Sequence, residues 1–458
     1  MKQLRNVIRS SLAVLFILIQ LLCVRQSFAT SADEHSERHS CIVCGMYIDE
    51  FRDTSTELIL KDGQKIETCG VACMLRVIND RGGPDAFTSI MVHDWNTKAL
   101  APAAEATYVI GSRIIPDMLP NIIAFQNKED AEAFRAKEGG ELLNFTQALL
   151  SISPMGMTMP TRIKTAVLAP KGSLAVGVGY MHMTMDEVKL GSDSVDPLDF
   201  VRRPGQMTGP KKMTSDAEML MINYGITDNI SLGISESYFK KKMETYTMMG
   251  TATETTHNHG FGDIDLTLRY GLWRNVYYSK FFSLLVGATL PTGNFKEEFV
   301  TMPGLQTGIG AFTFTGGMLF SHRYKNLWFH YMASYTAVAE NGDDYKFGNT
   351  TRFGAAVHYT PNYDFMAGLE IDASDSAKDE YQGINVDSTG GFRSNITAVA
   401  DWRFLTAFGG NFSVRAFGGI PIYENLNHFK MGLMEKAKLG GGYFAAGMIT
   451  FSKRFPPF

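Results

Sequence analysis

"GFGDIDLTLRYGLW", Gly260–Trp273, is the stretch whose reading decides the fold. Successive side chains of a strand point to opposite faces. At that period Ile264, Leu266, Leu268, Tyr270 and Leu272 share one face, and Asp263, Asp265, Thr267, Arg269 and Gly271 share the other. A soluble sandwich has no core that accepts such a charge load. An apolar outer face over a polar, glycine-bearing inner face is the pattern of a transmembrane β-barrel strand.

The same texture begins near residue 170 and runs to the end of the chain. Candidate strands begin near Ser173, Asp216, Ile230, Phe261, Phe281, Thr307, Leu327, Phe347, Tyr363, Phe392, Asn411 and Ala437. Their connections alternate in length. "TDN" (227–229), "RYKN" (323–326), "TPN" (360–362) and "FGGN" (408–411) are short, while 186–214, 243–260, 291–306, 373–390 and 421–436 are long. This predicts an all-β transmembrane barrel of about twelve antiparallel strands over 170–458, beyond the roughly seven to nine strands of a soluble sandwich. An even strand number with short periplasmic turns and long external loops puts both barrel ends in the periplasm, and with them the segment that precedes the barrel. The ending "FSKRFPPF" has the aromatic character common in such barrels, although its two prolines are unusual there.

The 458 residues are too many for one ordinary domain. A net charge of −4 excludes the basic footprint of a nucleic-acid binder. Residues 1–29 read as a signal peptide: Lys2, Arg5 and Arg9, then the apolar "SLAVLFILIQLL", then "SFA". "QLLC" places Leu where a lipobox needs a small residue, so cleavage after Ala29 is expected rather than lipidation of Cys23. Residues 30–40 form a polar, disordered leader, 41–150 a small α+β domain, and 151–169 a Met-rich linker.

Within 41–150, "TELILKDGQKIET" reads as a hairpin turning at Asp62-Gly63. "GVACMLRVINDR" has helical spacing and is stopped by Gly82-Gly83-Pro84. "ATYVIGS" and "IIAFQ" read as strands, and "NKEDAEAFRAKEGG" as a helix with an Asn cap and a Gly-Gly stop.

The four cysteines that remain after cleavage, Cys41, Cys44, Cys69 and Cys73, all fall in this domain. Cys44-x-Met46 in "CIVCGMYI" puts a thiolate and a thioether on one side of an extended segment, and such soft ligands select Cu(I). CxxC plus CxxxC equally fits a Cys₄ zinc site or two periplasmic disulfides. A thioredoxin-like role fits less well, because the segment after Cys44 reads as a strand rather than a helix.

The domain resembles the NosL family of copper-binding accessory proteins for nitrous oxide reductase. "CIVCGMYI", "TCGVACML", "VHDWNTK", "EATYVIGSRIIPDMLPNIIAF" and "NKEDAEAFRAKEGGELLNF" carry the resemblance. It implies a periplasmic Cu(I)-binding domain with ligands at Cys44 and Met46 of "CGM" and Met118 of "PDMLP". The family's members are usually small lipoproteins, from which this chain departs. The barrel half resembles outer-membrane proteins of the MetA-type phenol-degradation family through "YGITDNISLGIS", "HGFGDIDLTLRYGL" and "GATLPTGN". That likeness implies fold more than cargo.

Methionine is the compositional oddity, with 25 copies. "MGMTM" (Met155, Met157, Met159) lies in the linker and "MHMTM" (Met181, His182, Met183, Met185) ends the first strand. Period two puts Met181, Met183 and Met185 in phase with Gly177 and Gly179, and Met219 with Met221, so both rows are expected to face the lumen. "HNH" (His257, His259) is expected in an external loop. Isolated methionines such as Met366 and Met448 read as gap fillers.

These readings combine into copper handling at the outer membrane. A periplasmic domain would hold Cu(I), with Zn as the alternative ion, through Cys41, Cys44, Met46, Cys69, Cys73 and Met118. A lumen lined by Met181 and Met183 would serve relay or passage. The expected partners are the copper ion, outer-membrane lipid, and a periplasmic copper chaperone or cuproenzyme, with no nucleic acid. The other reading is a passive channel for small organic solutes with a disulfide-stapled N-terminal domain. No nucleophile–base constellation points to an enzyme.

Overall fold

The computed structural model describes residues 39–458 except Gly82, Leu119, 153–158, 276–278, Tyr363, Gly409 and 456–458. Residues 1–29, expected to be a signal peptide with Cys23, most of the expected leader, Met155, Met157 and the last three residues lie outside the described residues.

The small domain pairs β1 (Thr56–Leu60) with β2 (Lys65–Thr68), as the hairpin pattern predicts. Helix α1 (Val71–Asp80) follows, then β3 (Phe87–His93), β4 (Leu100–Pro102), β5 (Thr107–Ile110) and β6 (Ile122–Phe125). Helix α2 (Lys128–Glu138), β7 (Glu141–Leu143) and α3 (Phe145–Ile152) complete it. The strands form two small sheets, ordered β2-β1-β3-β4 and β6-β5-β7. The apolar stripe of α1 (Val71, Met74, Leu75, Ile78) packs into one core with Leu58, Val92, Tyr108, Ile122 and Leu149.

The second half is a closed antiparallel barrel. Its strands are β8 (Ser173–Met185), β9 (Gly209–Thr227), β10 (Ile230–Thr247), β11 (Ala252–Phe261 continuing as Ile264–Arg274), β12 (Lys280–Leu290) and β13 (Thr313–Tyr324). β14 (Leu327–Val338), β15 (Thr350–Tyr359), β16 (Phe365–Ser376), β17 (Gly391–Ala407), β18 (Gly410–Leu426) and β19 (Phe444–Arg454) follow. Both pieces of β11 pair with β10, so the 13 paired segments make twelve strands. β8 pairs with β19 on one side and β9 on the other, and β9 pairs with β10, which closes the ring. Closure removes the exposed edges that an open sheet would offer.

The outer face is apolar. Val178, Val286, Phe314, Phe353, Leu369, Trp402 and Ile449 each expose between 50% and 62% of their surface. In water this ring would be a large apolar patch, whereas in lipid it is the expected surface. In β11, Leu268, Tyr270 and Leu272 face outward as predicted, and Arg269 lies inside, 5% exposed. No described helix is long and apolar enough to cross a membrane.

Three expectations need correction. The stretch 243–260 is largely strand rather than loop, because β10 and the first piece of β11 run on past the apolar band. "KKKMETYT" is polar on both faces there, so alternation gave no signal. The Cys44–Met46 segment is a turn rather than extended: Gly45 N donates to Cys41 O and Cys41 N to Met46 O, each at 2.8 Å, with Gly45 at φ 76°. Part of the linker is built into the barrel. Ile163, Ala166 and Val167 are buried against Phe281, Leu285, Leu319, Trp328, Met332 and Ala356, all on inner-facing strand positions.

Candidate metal centre

The Cys41–Met46 turn and the N-terminal end of α1 bring the four cysteines together. Gly45 takes the left-handed conformation that glycine adopts without cost, which folds Cys41 back beside Cys44. Cys69 immediately precedes Gly70, the N-cap of the helix, and Cys73 lies in its first turn. The four Sγ atoms all lie within 4.8 Å of one another. Cys44 Sγ is 3.4 Å from Cys69 Sγ, and Cys69 Sγ is 3.7 Å from Cys73 Sγ. Met118 brings its sulfur to 3.2 Å from Cys73 Sγ. Met46 packs, partly buried, against the same cluster with Val43 and Ile48. Every small-domain residue singled out in the sequence therefore converges on one place.

All four thiols are free. Cys41 accepts hydrogen bonds from Cys69 and Cys73, which hold it far below the usual thiol range. Hydrogen bonding to Cys41, together with burial, pushes Cys69 and Cys73 far up. The cluster thus favours the thiolate at Cys41 over Cys69 and Cys73. Thiolate is the ligand form of cysteine.

Two contributors were not legible in the sequence. The Asp117 carboxylate sits against Gly70, where an added Cβ would collide with Oδ2. Burial pushes Asp117 up to about 6, and the charge on Cys41 adds to the rise. Thr54 Oγ1 donates to Cys69 O at 2.9 Å and holds the strand-to-helix joint. The "VHDWNTK" motif proves to be scaffold. Asp94 accepts N–H bonds from Thr97 and Gln126 at 2.7 Å and from Asn96 at 3.1 Å.

In the barrel, Met181, Met183, Met185, Met219 and Met221 share the inner-facing phase of β8 and β9. Met181 is opposite Ala217, Met183 opposite Ser215, and Met185 opposite Met213. His182 is on the other face, with Nδ1 2.8 Å from Asp216 Oδ1, so it does not join the methionines. His257 and His259 are exposed on β11, on the rungs that reach Thr184 and His182 through β10 and β9, so they share the face of His182 and not that of the methionines.

The lumen also holds the returning linker. Glu370 accepts from Thr161 N (2.8 Å), Thr161 Oγ1 (3.0 Å) and Arg162 N (2.8 Å). Arg162 forks onto both oxygens of Asp372 at 3.1 and 3.2 Å. Arg269 donates to the carbonyls of Thr165 and Val167 at 3.2 and 3.3 Å.

Residues 33–150 match the NosL family model, and residues 209–420 match the family described as putative MetA-pathway of phenol degradation. No curated protein matches the chain. Among solved structures, an outer membrane channel from Pseudomonas putida F1 is 15% identical, with 65% of this chain and 100% of that chain covered and a TM-score of 0.48. The copper chaperone NosL from Shewanella denitrificans is 29% identical, with 26% of this chain and 95% of that chain covered and a TM-score of 0.22. A NanC porin is 10% identical, with 62% of this chain and 100% of that chain covered and a TM-score of 0.34. Two family models thus divide the chain between them, NosL over residues 33–150 and the MetA-pathway phenol-degradation family over residues 209–420.

Proposed function

We propose that the protein binds Cu(I) in its NosL domain and handles it at the outer membrane, with the domain on the periplasmic side of the barrel. The observation that carries this reading is the sulfur cluster: four Sγ atoms within 4.8 Å of one another and Met118 Sδ 3.2 Å from Cys73 Sγ. Thiolates and a thioether form a soft donor set, and softness selects Cu(I) over harder ions. The NosL match supports the same ion, since a solved relative carries the name copper chaperone. Cys41, Cys44, Cys69, Cys73 and Met118 are the assigned ligands, with Met46 at the rim.

Zinc is the second reading, and one observation favours it. Metal–sulfur bonds of about 2.3 Å in a tetrahedron set sulfurs about 3.8 Å apart, close to the 3.4 and 3.7 Å found here. The passive-channel reading rests on the barrel family alone. The test is metal analysis of the full-length protein purified in detergent from cells given both ions. Copper at one equivalent or more, reduced by one in Cys44→Ser and Met118→Leu, supports the proposal. Zinc that survives Met118→Leu supports the second reading. No metal in the wild type leaves the channel.

A further inference from the structure

Met448, which its sequence surroundings mark as a gap filler, is not in a gap. It sits on the inner face of β19, directly opposite Gly179 of β8, and Gly179 is in turn opposite Met219 of β9. A Cβ at Gly179 would stand 3.2 Å from Met448 Cβ and 3.3 Å from Met219 Cε, and one at Gly177 would stand 3.0 Å from Met448 Sδ. The two methionine side chains therefore lean over the same two-glycine slot from opposite sides.

Packing does not account for this pair. A methionine that fills a core gap is buried, as Met366 and Met332 are at 0% and 8% exposure. Met219 and Met448 are only half-buried and face the lumen. Their neighbours along the same rung are polar: Arg415 is opposite Met448, Asp401 opposite Arg415, and Ser237 opposite Met219. Arg415 Nε bonds Asp401 at 2.8 Å, which offsets its charge beside the slot, and its Nη1 donates to Met159 O at 2.8 Å. Two soft, polarisable sulfurs in a polar, charge-balanced lumen have little apolar surface to bury.

We infer that Met219 and Met448, over Gly177 and Gly179, form a second site for a soft monovalent cation, Cu(I), inside the barrel. It is separate from the cysteine cluster and needs no thiolate. Thioethers favour Cu(I) over harder ions. The inner row continues from this rung through Met181 and Met183 to Met185, so the site is one step of a thioether ladder. Six residues from Gly179 to Met185 cover about 20 Å of strand. The inference deepens the copper reading, but the two fail separately.

The test titrates Cu(I) into full-length protein in detergent against a chromophoric competitor. Four forms are compared: wild type, Cys41/44/69/73→Ser, Met219→Leu/Met448→Leu, and Met366→Leu as a packing control. Two equivalents are expected in wild type and in the control, and one in each of the other two forms. Unchanged heat-modifiable mobility reports folding. If the serine form binds none, or the double-leucine form keeps both equivalents, the second site is overturned. If the double-leucine form loses its copper while the serine form keeps the wild-type amount, the barrel site stands and the cysteine assignment falls. Peroxide footprinting of the wild type adds a measurement that needs no variant, with Ag(I) as a soft monovalent surrogate that peroxide does not oxidise. Ag(I) should slow sulfoxide formation at Met219 and Met448 but leave the exposed Met207 and Met248 as reactive as before. Unchanged oxidation of Met219 and Met448 with Ag(I) overturns the site.

Discussion

The sulfur of Met118 stands 3.2 Å from the sulfur of Cys73, although 45 residues separate them in sequence. The "PDMLP" loop thus returns its thioether to the helix that carries the thiol. If Met118 is a ligand, Met118→Leu removes a lone pair but little volume, a swap that costs under about 1.5 kcal/mol of stability. Copper affinity should fall by more than about tenfold, equivalent to about 1.4 kcal/mol. Competition titration alongside thermal unfolding checks it. Equal losses in both would mean that Met118 only packs.

Gly70→Ala tests the carboxylate beside the site. The added methyl would collide with Asp117 Oδ2, and no rotation of a methyl relieves that contact. Asp117 must swing away and carry Met118 with it. Reduced copper affinity is expected, with partial recovery in Gly70→Ala/Asp117→Ala, which removes the clashing carboxylate. No recovery would place the damage in the backbone before α1.

Asp94 predicts an acid limit for the small domain. Burial alone would raise its pKa, but N–H donors from Gln126 and Thr97, with the Thr97 hydroxyl, outweigh it and hold the pKa below the usual carboxylate value of 3.8. The unfolded chain therefore binds the proton more readily. The contribution is present above that unfolded value and is lost as pH falls through the folded one. Asp94→Ala should destabilise the domain by about 3 kcal/mol by stranding its donors. Its stability should also be flatter below pH 4 than that of the wild type. Denaturation of a fragment containing residues 39–152 at stepped pH measures both.

The barrel was legible because lipid imposes a strict alternation, and in Ile264–Leu272 nothing interrupts it. Strand ends were less legible where both faces meet water, as at Lys240–Lys242. The cysteine site was legible in residue type and spacing. Its geometry was not: the spacing of Cys44 and Met46 is the same in a left-handed turn at Gly45 as in an extended run, and the contact between Asp117 and Gly70 joins segments far apart in the chain. The place of Met448 was not legible, because a single methionine carries no pattern. Its meaning comes from Gly179 across the strand, and only pairing register supplies that. The 159–169 segment gave no sign of entering the barrel, because its partners Glu370 and Asp372 are two hundred residues away.

Those partners predict a conductance phenotype. Charge-assisted hydrogen bonds are worth about 1.5–3 kcal/mol each, and Glu370 makes three of them to Thr161 and Arg162. Glu370→Ala should free the segment, whereas Arg162→Lys should keep the charge but lose the fork onto Asp372. In planar bilayers the expected order of mean conductance is Glu370→Ala above Arg162→Lys above wild type. Identical traces for all three would mean that the segment does not obstruct the path.

The orientation prediction rests on which barrel end meets the small domain. Ser173 and Arg454, where the barrel begins and closes, are paired neighbours. They lie at the end with the short turns, among them Thr227–Ile230 and Tyr324–Leu327. Gln147 Nε2 of α3 donates to Asn326 Oδ1 in one of these turns at 3.2 Å, which ties the small domain to that end. The opposite end carries the long excursions, with Ile384 73% exposed on one of them. Barrels of this type keep short turns in the periplasm and long loops outside. In a background lacking the native cysteines, Ile384→Cys should therefore react with a membrane-impermeant maleimide on intact cells. Lys61→Cys, exposed at the β1–β2 turn, should react only after the outer membrane is permeabilised. Labelling of Lys61→Cys but not Ile384→Cys on intact cells would invert the barrel and remove the periplasmic copper reading.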